Sequence, residues 1–388
     1  MRNRGHFRRK SEHYVDYSLI LIVLFLLGFG LVMVYSASSY EASTSAKLGY
    51  DAAYYLKKQA KATVLGLLFM VAVSLVPYHF WQKFDVIGYG VAVALILLVM
   101  TPLGYEANGA RRWLKIGPLS LQPAEIAKTA MILFLASMIC KLGKKVNQRK
   151  GFWAVLLAPL PICLMVWLIT QNMSSAIIIF GIGFLMLFVA SRNYKVFAGI
   201  ALAGAAVAAA IVFILAQVGE AGSLGFRGAR ILAWLDPEAY ASGKGFQTLQ
   251  ALYAIGSGGI FGKGLGQSMQ KLNFLPEAQN DMIFPIICEE LGLFGGICTI
   301  VLFLLLIWRC MIIANNASDL FGALLVVGVI GHISIQVILN IAVVTNTIPN
   351  TGISLPFISY GGSSVLFLLV EIGLVLSVAR GIRMKEVQ

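Results

Sequence analysis

The feature that most constrains this chain is a succession of apolar windows, each about 20 residues long, the length an α-helix needs to cross the roughly 30 Å hydrocarbon core of a bilayer. They fall near 17–37, 60–77, 86–103, 122–141, 152–171, 173–190, 196–218, 283–312, 320–345 and 363–380. The pattern specifies an all-α polytopic membrane protein of about ten transmembrane helices. Only 12% of the residues are charged, against about 25% in soluble domains. The net charge of +13 is carried by short basic segments between the windows. No aromatic-basic signature accompanies them, so they read as topology signals and not as a nucleic-acid surface.

Arg2, Arg4, Arg8, Arg9 and Lys10 precede the first window, and Lys141, Lys144, Lys145, Arg149 and Lys150 follow the fourth. Arg192 and Lys195 follow the sixth, and Arg380, Arg383 and Lys385 end the chain. All share one side if the number of spans is even, which makes both termini cytoplasmic. The organisation expected is a basic tail over 1–16, one transmembrane domain over 17–380 and a short tail over 381–388. The opposite face receives 38–59, 104–121, the tight turn at Gln171 to Ser174, a large extracytoplasmic loop over 219–282, and 346–362. The first window imitates a secretory signal, down to Ser36, Ala37 and Ser38, but exceeds the h-region length of about 7 to 15 residues and reads as a retained anchor.

The cysteines at 140, 163, 288, 298 and 310 lie in apolar stretches without a Cys-x-x-Cys pair, which supports neither a zinc site nor a disulfide framework. GSGGIFGKGLG invites a phosphate-loop reading that fails, because Ser257 stands where the first glycine belongs and Lys263 is followed by Gly264. A glycine-rich turn of this kind suits close backbone packing.

Three stretches carry groups that are costly near lipid. In LPEAQNDMIFPIICEELG, Glu277, Asp281, Glu289 and Glu290 gather at the edge of an apolar window. If a helix begins near Pro276, Glu277 and Asp281 share a face at i and i+4, with Glu289 near that face two turns deeper. Alternatively, Glu277 and Asp281 cap a helix start and Glu289 pairs with a buried base. In NGARRWLKIGPLSLQPAEIAK, Pro123 suits a first helical turn, and Glu125 and Lys128 at i and i+3 can neutralise each other. Arg111 and Arg112 form a guanidinium pair suited to phosphate, against the positive-inside bias, while Trp113 reads as an interfacial aromatic. NTIPNTGISLPFISYGGSS is a rigid polar loop of the sort tolerated at membrane depth only beside protein or water. Gln336, Asn340, His332 and Glu371 read as hydrogen-bonding groups between helices, with His332 a partner for Glu371. Together these features fit an anionic, lipid-linked substrate handled outside the cytoplasm. They do not separate an enzyme from a flippase.

The three stretches, with GFQTLQALYAIGSGGIFGKGLGQSMQKLNFLPEAQND and the opening GLVMVYSASSY, resemble the SEDS (shape, elongation, division and sporulation) family over essentially the whole chain. QKLNFLPEAQND and the DP in RILAWLDPEAY are more similar to the division and sporulation branches than to the elongation branch. The resemblance implies a peptidoglycan glycosyltransferase of the bacterial cell membrane, acting at the division septum. It would polymerise lipid II onto a glycan carried on a polyprenyl diphosphate, with a class B penicillin-binding protein and other division proteins as partners. It also implies Asp281 as the essential acid, acting as general base. On that reading Glu125 and Lys128 shape the cavity, Arg111, Arg112 and Lys128 meet the diphosphate, and Glu277 and Glu289 are candidates for orienting groups or ligands of a divalent cation, Mg or Mn. A lipid II flippase and a scaffold for a transpeptidase are the alternatives. The chain departs from the family pattern at Asn280, Met282 and the QNMSSA turn, which holds no acidic residue.

Overall fold

The structure, a computed structural model, describes residues 16–107, 110–116, 119–218, 225–243 and 245–382. The basic residues Arg2 to Lys10, Arg383 and Lys385 lie outside them. The chain passes back and forth between two ends. Helix α1 (Tyr17–Thr44) starts on an Asp16 cap, α2 (Tyr54–Leu75) returns, and after the short α3 (Tyr78–Gln82), α4 (Asp85–Leu98) leads out again. Strands β1 (Gly104–Ala107), β2 (Ala110–Ile116) and β3 (Leu119–Leu121) form an antiparallel sheet. Then come α5 (Pro123–Leu142), α6 (Arg149–Leu157), α7 (Leu160–Leu168), α8 (Met173–Ala190) and α9 (Tyr194–Val218). Two helices, α10 (Gly225–Leu235) and α11 (Phe246–Ser257), occupy the long connection, and α12 (Ile283–Asn315), α13 (Leu320–Val344) and α14 (Gly362–Arg380) complete the bundle.

Among the described residues nine helices, with α6 and α7 taken as one, are long and apolar enough to cross a membrane. This is an all-α polytopic membrane fold. The expected third span is shorter than its window: α4 has 14 residues, about 21 Å of helix. The chain leaves it in turns, with the Thr101 carbonyl accepting from the Gly104 amide that opens β1. The fifth window is divided where Pro159, lacking an N–H, interrupts the ladder between α6 and α7.

The two ends are tied by different chemistry. At the end where α1 begins, Arg309 pairs with Asp16 at 2.6 Å, and Tyr78 and His79 both meet Asp319. A cleft of about 800 Å³ opens there beside His79 and Arg380. At the other end, Gln279 donates to Glu41 at 2.9 Å and Gln59 to the Ser359 carbonyl at 3.3 Å. Between the ends, α14 lies against α2 so closely that a Cβ at Gly373 would stand 2.7 Å from the Met70 carbonyl oxygen. Small residues permit such contact where the hydrophobic effect cannot pull helices together. Outward faces such as Ile297, Val301, Leu304 and Trp308 of α12 stay exposed for lipid.

Helix α12 is broken at Gly292 (φ 72°, ψ −170°), a conformation only glycine adopts readily. The break is closed from outside by the glycine-rich turn after α11. The Leu293 and Phe294 amides donate to the Gly259 and Ile260 carbonyls, while the Glu289 and Glu290 carbonyls accept from Lys263 and Gly264, at 2.9–3.0 Å. A Cβ at Gly292 would meet the Ile260 oxygen at 2.3 Å, and one at Gly262 the Glu290 oxygen at 2.2 Å. Four backbone groups that the break frees at membrane depth are thus satisfied by protein.

Candidate functional site

No helix begins at Pro276. Residues 276–282 are consecutive turns, with Glu277 in the left-handed region at φ 57° and its carbonyl accepting from Asn280 and Met282. Helix α12 starts at Ile283, so Glu277 and Asp281 approach each other across a turn and not along a helical face. The turn is held by the loop between α13 and α14. Asn340 in α13 is fully buried and its amide nitrogen donates both to the Asp281 carbonyl at 2.8 Å and to the Ile353 carbonyl at 2.6 Å. The Tyr360 amide donates to Gln279 at 2.8 Å, and Ser174 at the head of α8 bonds the Thr351 carbonyl.

Asp281 Oδ1 is completely covered yet has no hydrogen-bond partner among the described residues, and Oδ2 lies beside Gly352. Burial, reinforced by the Glu277 carboxylate and opposed by Arg230, pushes Asp281 up to about 7. That places its titration where a general base works at neutral pH. Two guanidiniums face this region. Arg230 of α10 donates to the Asn350 carbonyl at 3.3 Å, and Arg112 of β2 to the Gln171 carbonyl at 3.2 Å. Burial lowers both from the usual arginine range, and each other's proximity lowers Arg230 further.

The strand sets Arg111 and Arg112, expected to act as a pair, on different faces. Successive side chains on a strand point to opposite faces. Arg112 falls on the inner face of β2 with buried Ala110 and Leu114, and Arg111 is exposed on the outer face. Arg230 of α10 stands close enough to both Asp281 and Arg112 for their charges to act on it. Sequence reading missed it because the long connection shows no apolar window; its signal was RGARILAWL, with Arg227 and Arg230 three apart in an otherwise apolar helix. Between α10, α11 and the Asn350 loop lies a cleft of about 210 Å³ whose wall includes Arg230, Trp234, Phe246 and Gln247.

Glu289 does not join Asp281. It is fully buried and pairs with Lys263 at 2.7 Å, accepting also from Ser268 at 2.5 Å and from the Met269 and Gln270 amides. Glu290 pairs with Lys271 at 2.9 Å and accepts from Ser36 of α1 at 2.7 Å. Two acids and two lysines therefore cancel beneath the glycine-rich turn, the base-paired alternative for Glu289. Glu125 and Lys128 are an ion pair at 2.9 Å, both buried in α5, and no hydrogen bond or ion pair among the described residues joins them to Asp281. His332 bonds Glu371 at 2.7 Å, and Thr129 of α5 donates to the other Glu371 oxygen at 2.8 Å. Among the described residues no group of three or more His, Cys, Asp or Glu is arranged to hold a metal. Glu277 and Asp281 offer two carboxylates, short of a cation site built from protein alone.

This fold and these motifs have known counterparts. The family of cell cycle proteins that groups FtsW, RodA and SpoVE matches residues 17–384. The chain belongs to this family. It is 39% identical over 367 residues to stage V sporulation protein E of Bacillus subtilis, covering 94% of this chain and 97% of that protein. It is 36% identical over 379 residues to the "probable peptidoglycan glycosyltransferase FtsW" of Trichlorobacter lovleyi, covering 97% and 96%. Among solved structures, RodA of Thermus thermophilus superposes with a TM-score of 0.66 at 26% identity, covering 96% of this chain and 98% of that one. A chain in a peptidoglycan synthase complex that coordinates polymerization and crosslinking gives 0.75 at 26% identity, covering 96% and 99%.

Proposed function

We propose that this protein is a peptidoglycan glycosyltransferase that polymerises lipid II at the membrane end carrying Asp281, with Asp281 as general base. The observation that carries the assignment is the Asp281 carboxyl, its covered Oδ1 without a hydrogen-bond partner among the described residues, raised to about 7 within reach of the Arg230 charge. Relatives that share nearly the whole chain carry the same activity in their names.

The 4-hydroxyl of an incoming lipid II attacks the anomeric carbon of the glycan held on undecaprenyl diphosphate. As the C1–O4 bond forms, Asp281 takes the hydroxyl proton, a step worth about 10²–10⁴ in rate. The bond from C1 to the phosphate oxygen breaks, its electron pair leaving with the diphosphate, and inversion turns the α-linkage into β-1,4. Arg230, whose charge reaches Asp281, and Arg112 beside it are placed to meet the departing charge. A divalent cation, Mg or Mn, remains a further candidate for that charge, held through the diphosphate's own oxygens, and no step above requires it. Glu125 and Lys128 form a neutral buried pair that shapes α5 next to the β-sheet carrying Arg112. The orientation that puts basic Lys141, Lys144, Lys145, Arg192 and Arg380 in the cytoplasm puts Asp281 outside. The setting proposed is the bacterial plasma membrane at the division septum. A class B penicillin-binding protein is the partner proposed, in line with the complex that contains the structural neighbour.

The test is purified protein with lipid II, with and without its transpeptidase partner. Glycan polymer should form and should be absent from Asp281→Ala and Asp281→Asn. Equal product from the variants would remove Asp281 from the chemistry. A flippase would accelerate lipid II translocation in vesicles without polymer, and a scaffold would do neither while tolerating Asp281→Ala in cells.

A further inference from the structure

The cleft between α10 and α11 is lined by Arg230, whose charge reaches Asp281, and by Pro276 of the Asp281 turn. Drug-sized ligands occupy about 300–1,000 Å³, whereas this space is about 210 Å³, the scale of a smaller group such as one sugar ring. An acyl chain would find no apolar channel here, because Arg230, Gln247, Thr248 and Asn350 interrupt the wall. What remains is an aromatic pair with amides, the lining that suits a pyranose: its C–H face lies on a ring and its hydroxyl and acetamido groups bond to amides.

The aromatic wall is fixed in place. Trp234 donates its indole N–H to the Asn346 carbonyl at 3.0 Å, and Asn346 returns a bond to the Trp234 carbonyl at 3.3 Å. The amide wall is equally fixed: Gln247 donates to the Pro276 carbonyl at 3.3 Å and accepts from Asn350 at 2.9 Å. Pro276 and Asn350 belong to the two loops that frame the Asp281 turn, so a ring seated here is registered to Asp281 through one residue of Gln247. Neither Gln247 contact exhausts its group, since the amide keeps one N–H and one lone pair.

We propose that this cleft is a single-pyranose subsite that seats the acetamido sugar whose hydroxyl Asp281 deprotonates, with Trp234 as the stacking face and Gln247 as the amide contact. The assignment rests on the glycosyltransferase reading for the identity of the sugar, and its test is separable from that reading. Gly243 lines the cleft and has no atom nearer than 3.9 Å to a Cβ built on it, so Gly243→Leu adds bulk at the wall where a first carbon is accommodated, while Trp234→Ala removes the platform.

Both changes are made in full-length Asp281→Asn protein, which binds without turnover, and fluorescent lipid II binding is titrated in detergent beside undecaprenyl diphosphate, which lacks the sugars. Lipid II binding should weaken about five- to tenfold in each variant while undecaprenyl diphosphate binding stays unchanged. Unchanged lipid II affinity in Gly243→Leu, or equal weakening of both lipids, would overturn the subsite. Absence of polymer from the otherwise wild-type protein with its partner would instead sink the glycosyltransferase reading, whatever the titrations give.

Discussion

If Asp281 is the base, the pH dependence of polymerisation is set by the groups around one carboxyl. With its titration at about 7, roughly a tenth of the protein carries the active carboxylate at pH 6, half at pH 7 and about nine-tenths at pH 8. kcat/KM for lipid II should therefore rise about tenfold between pH 6 and pH 8. A carboxyl at its ordinary 3.8 would leave that interval flat. The neighbours give the sign. Glu277 raises Asp281 and Arg230 lowers it, so Glu277→Gln should move the rising limb to lower pH and Arg230→Gln should move it higher. The same group acts on stability. A carboxyl raised in the folded protein favours the fold while protonated and disfavours it as pH rises from about 4 through about 7. At about 1.4 kcal/mol per pH unit, the ionised carboxylate costs the fold about 4 kcal/mol at pH 8. Asp281→Asn should thus be inactive and more heat-resistant than the wild type at pH 8, with the gap closing toward pH 5. Polymerisation profiles and thermal unfolding in detergent measure both. A profile level from pH 6 to 8, or limbs that move the same way in the two variants, would refute the reasoning.

Three further substitutions probe the framework. Gly292→Ala places a Cβ 2.3 Å from the Ile260 oxygen at a φ of 72°, and should lower stability by more than about 3 kcal/mol; an unaltered Tm in detergent would contradict the described splice. Lys271→Met strands Glu290 in a fully buried site and should cost about 3–5 kcal/mol, much of it restored by adding Glu290→Gln; denaturation of the single and double variants gives the coupling. Asn340→Ala frees the Asp281 and Ile353 carbonyls together and should cut kcat by roughly ten- to a hundredfold with a smaller change in KM; kcat equal to wild type would show that the turn holds its place unaided.

The bilayer makes part of this architecture legible, because its thickness imposes a length on every apolar window, and all but the third and fifth windows coincide with single long helices. The pair set by helical spacing, Glu125 with Lys128 at i and i+3, was equally readable, and the isolated acid Glu371 announced its need for a partner, met by His332 on the neighbouring helix. The unreadable parts follow from tertiary override. Nothing local distinguishes the turn at Glu277, with its left-handed φ, from a helix start, since the turn is held by Asn340, Gln247 and Tyr360, all distant in the chain. The sheet over 104–121 was hidden because β2 is a short strand loaded with Arg111, Arg112 and Lys115, and the alternation that separates its arginines is visible only once a strand is known. Arg230 was hidden for a related reason, its helix being amphipathic and shorter than any membrane window. Gly292 looked like an ordinary small residue in an apolar run, and only the arrival of residues 258–264 makes it a break.

That arrival has a consequence for how the protein is made. Chains emerge from the ribosome amino terminus first, so the glycine-rich segment is synthesised before the helix it mends. When Glu289 to Phe294 enter the bilayer, the donors and acceptors they lack, and the lysines that neutralise their two acids, have already been delivered a few tens of residues earlier. The supply precedes the demand, and the acid-bearing hairpin can be lodged in the membrane without ever leaving bare amides or unpaired carboxylates among the lipids.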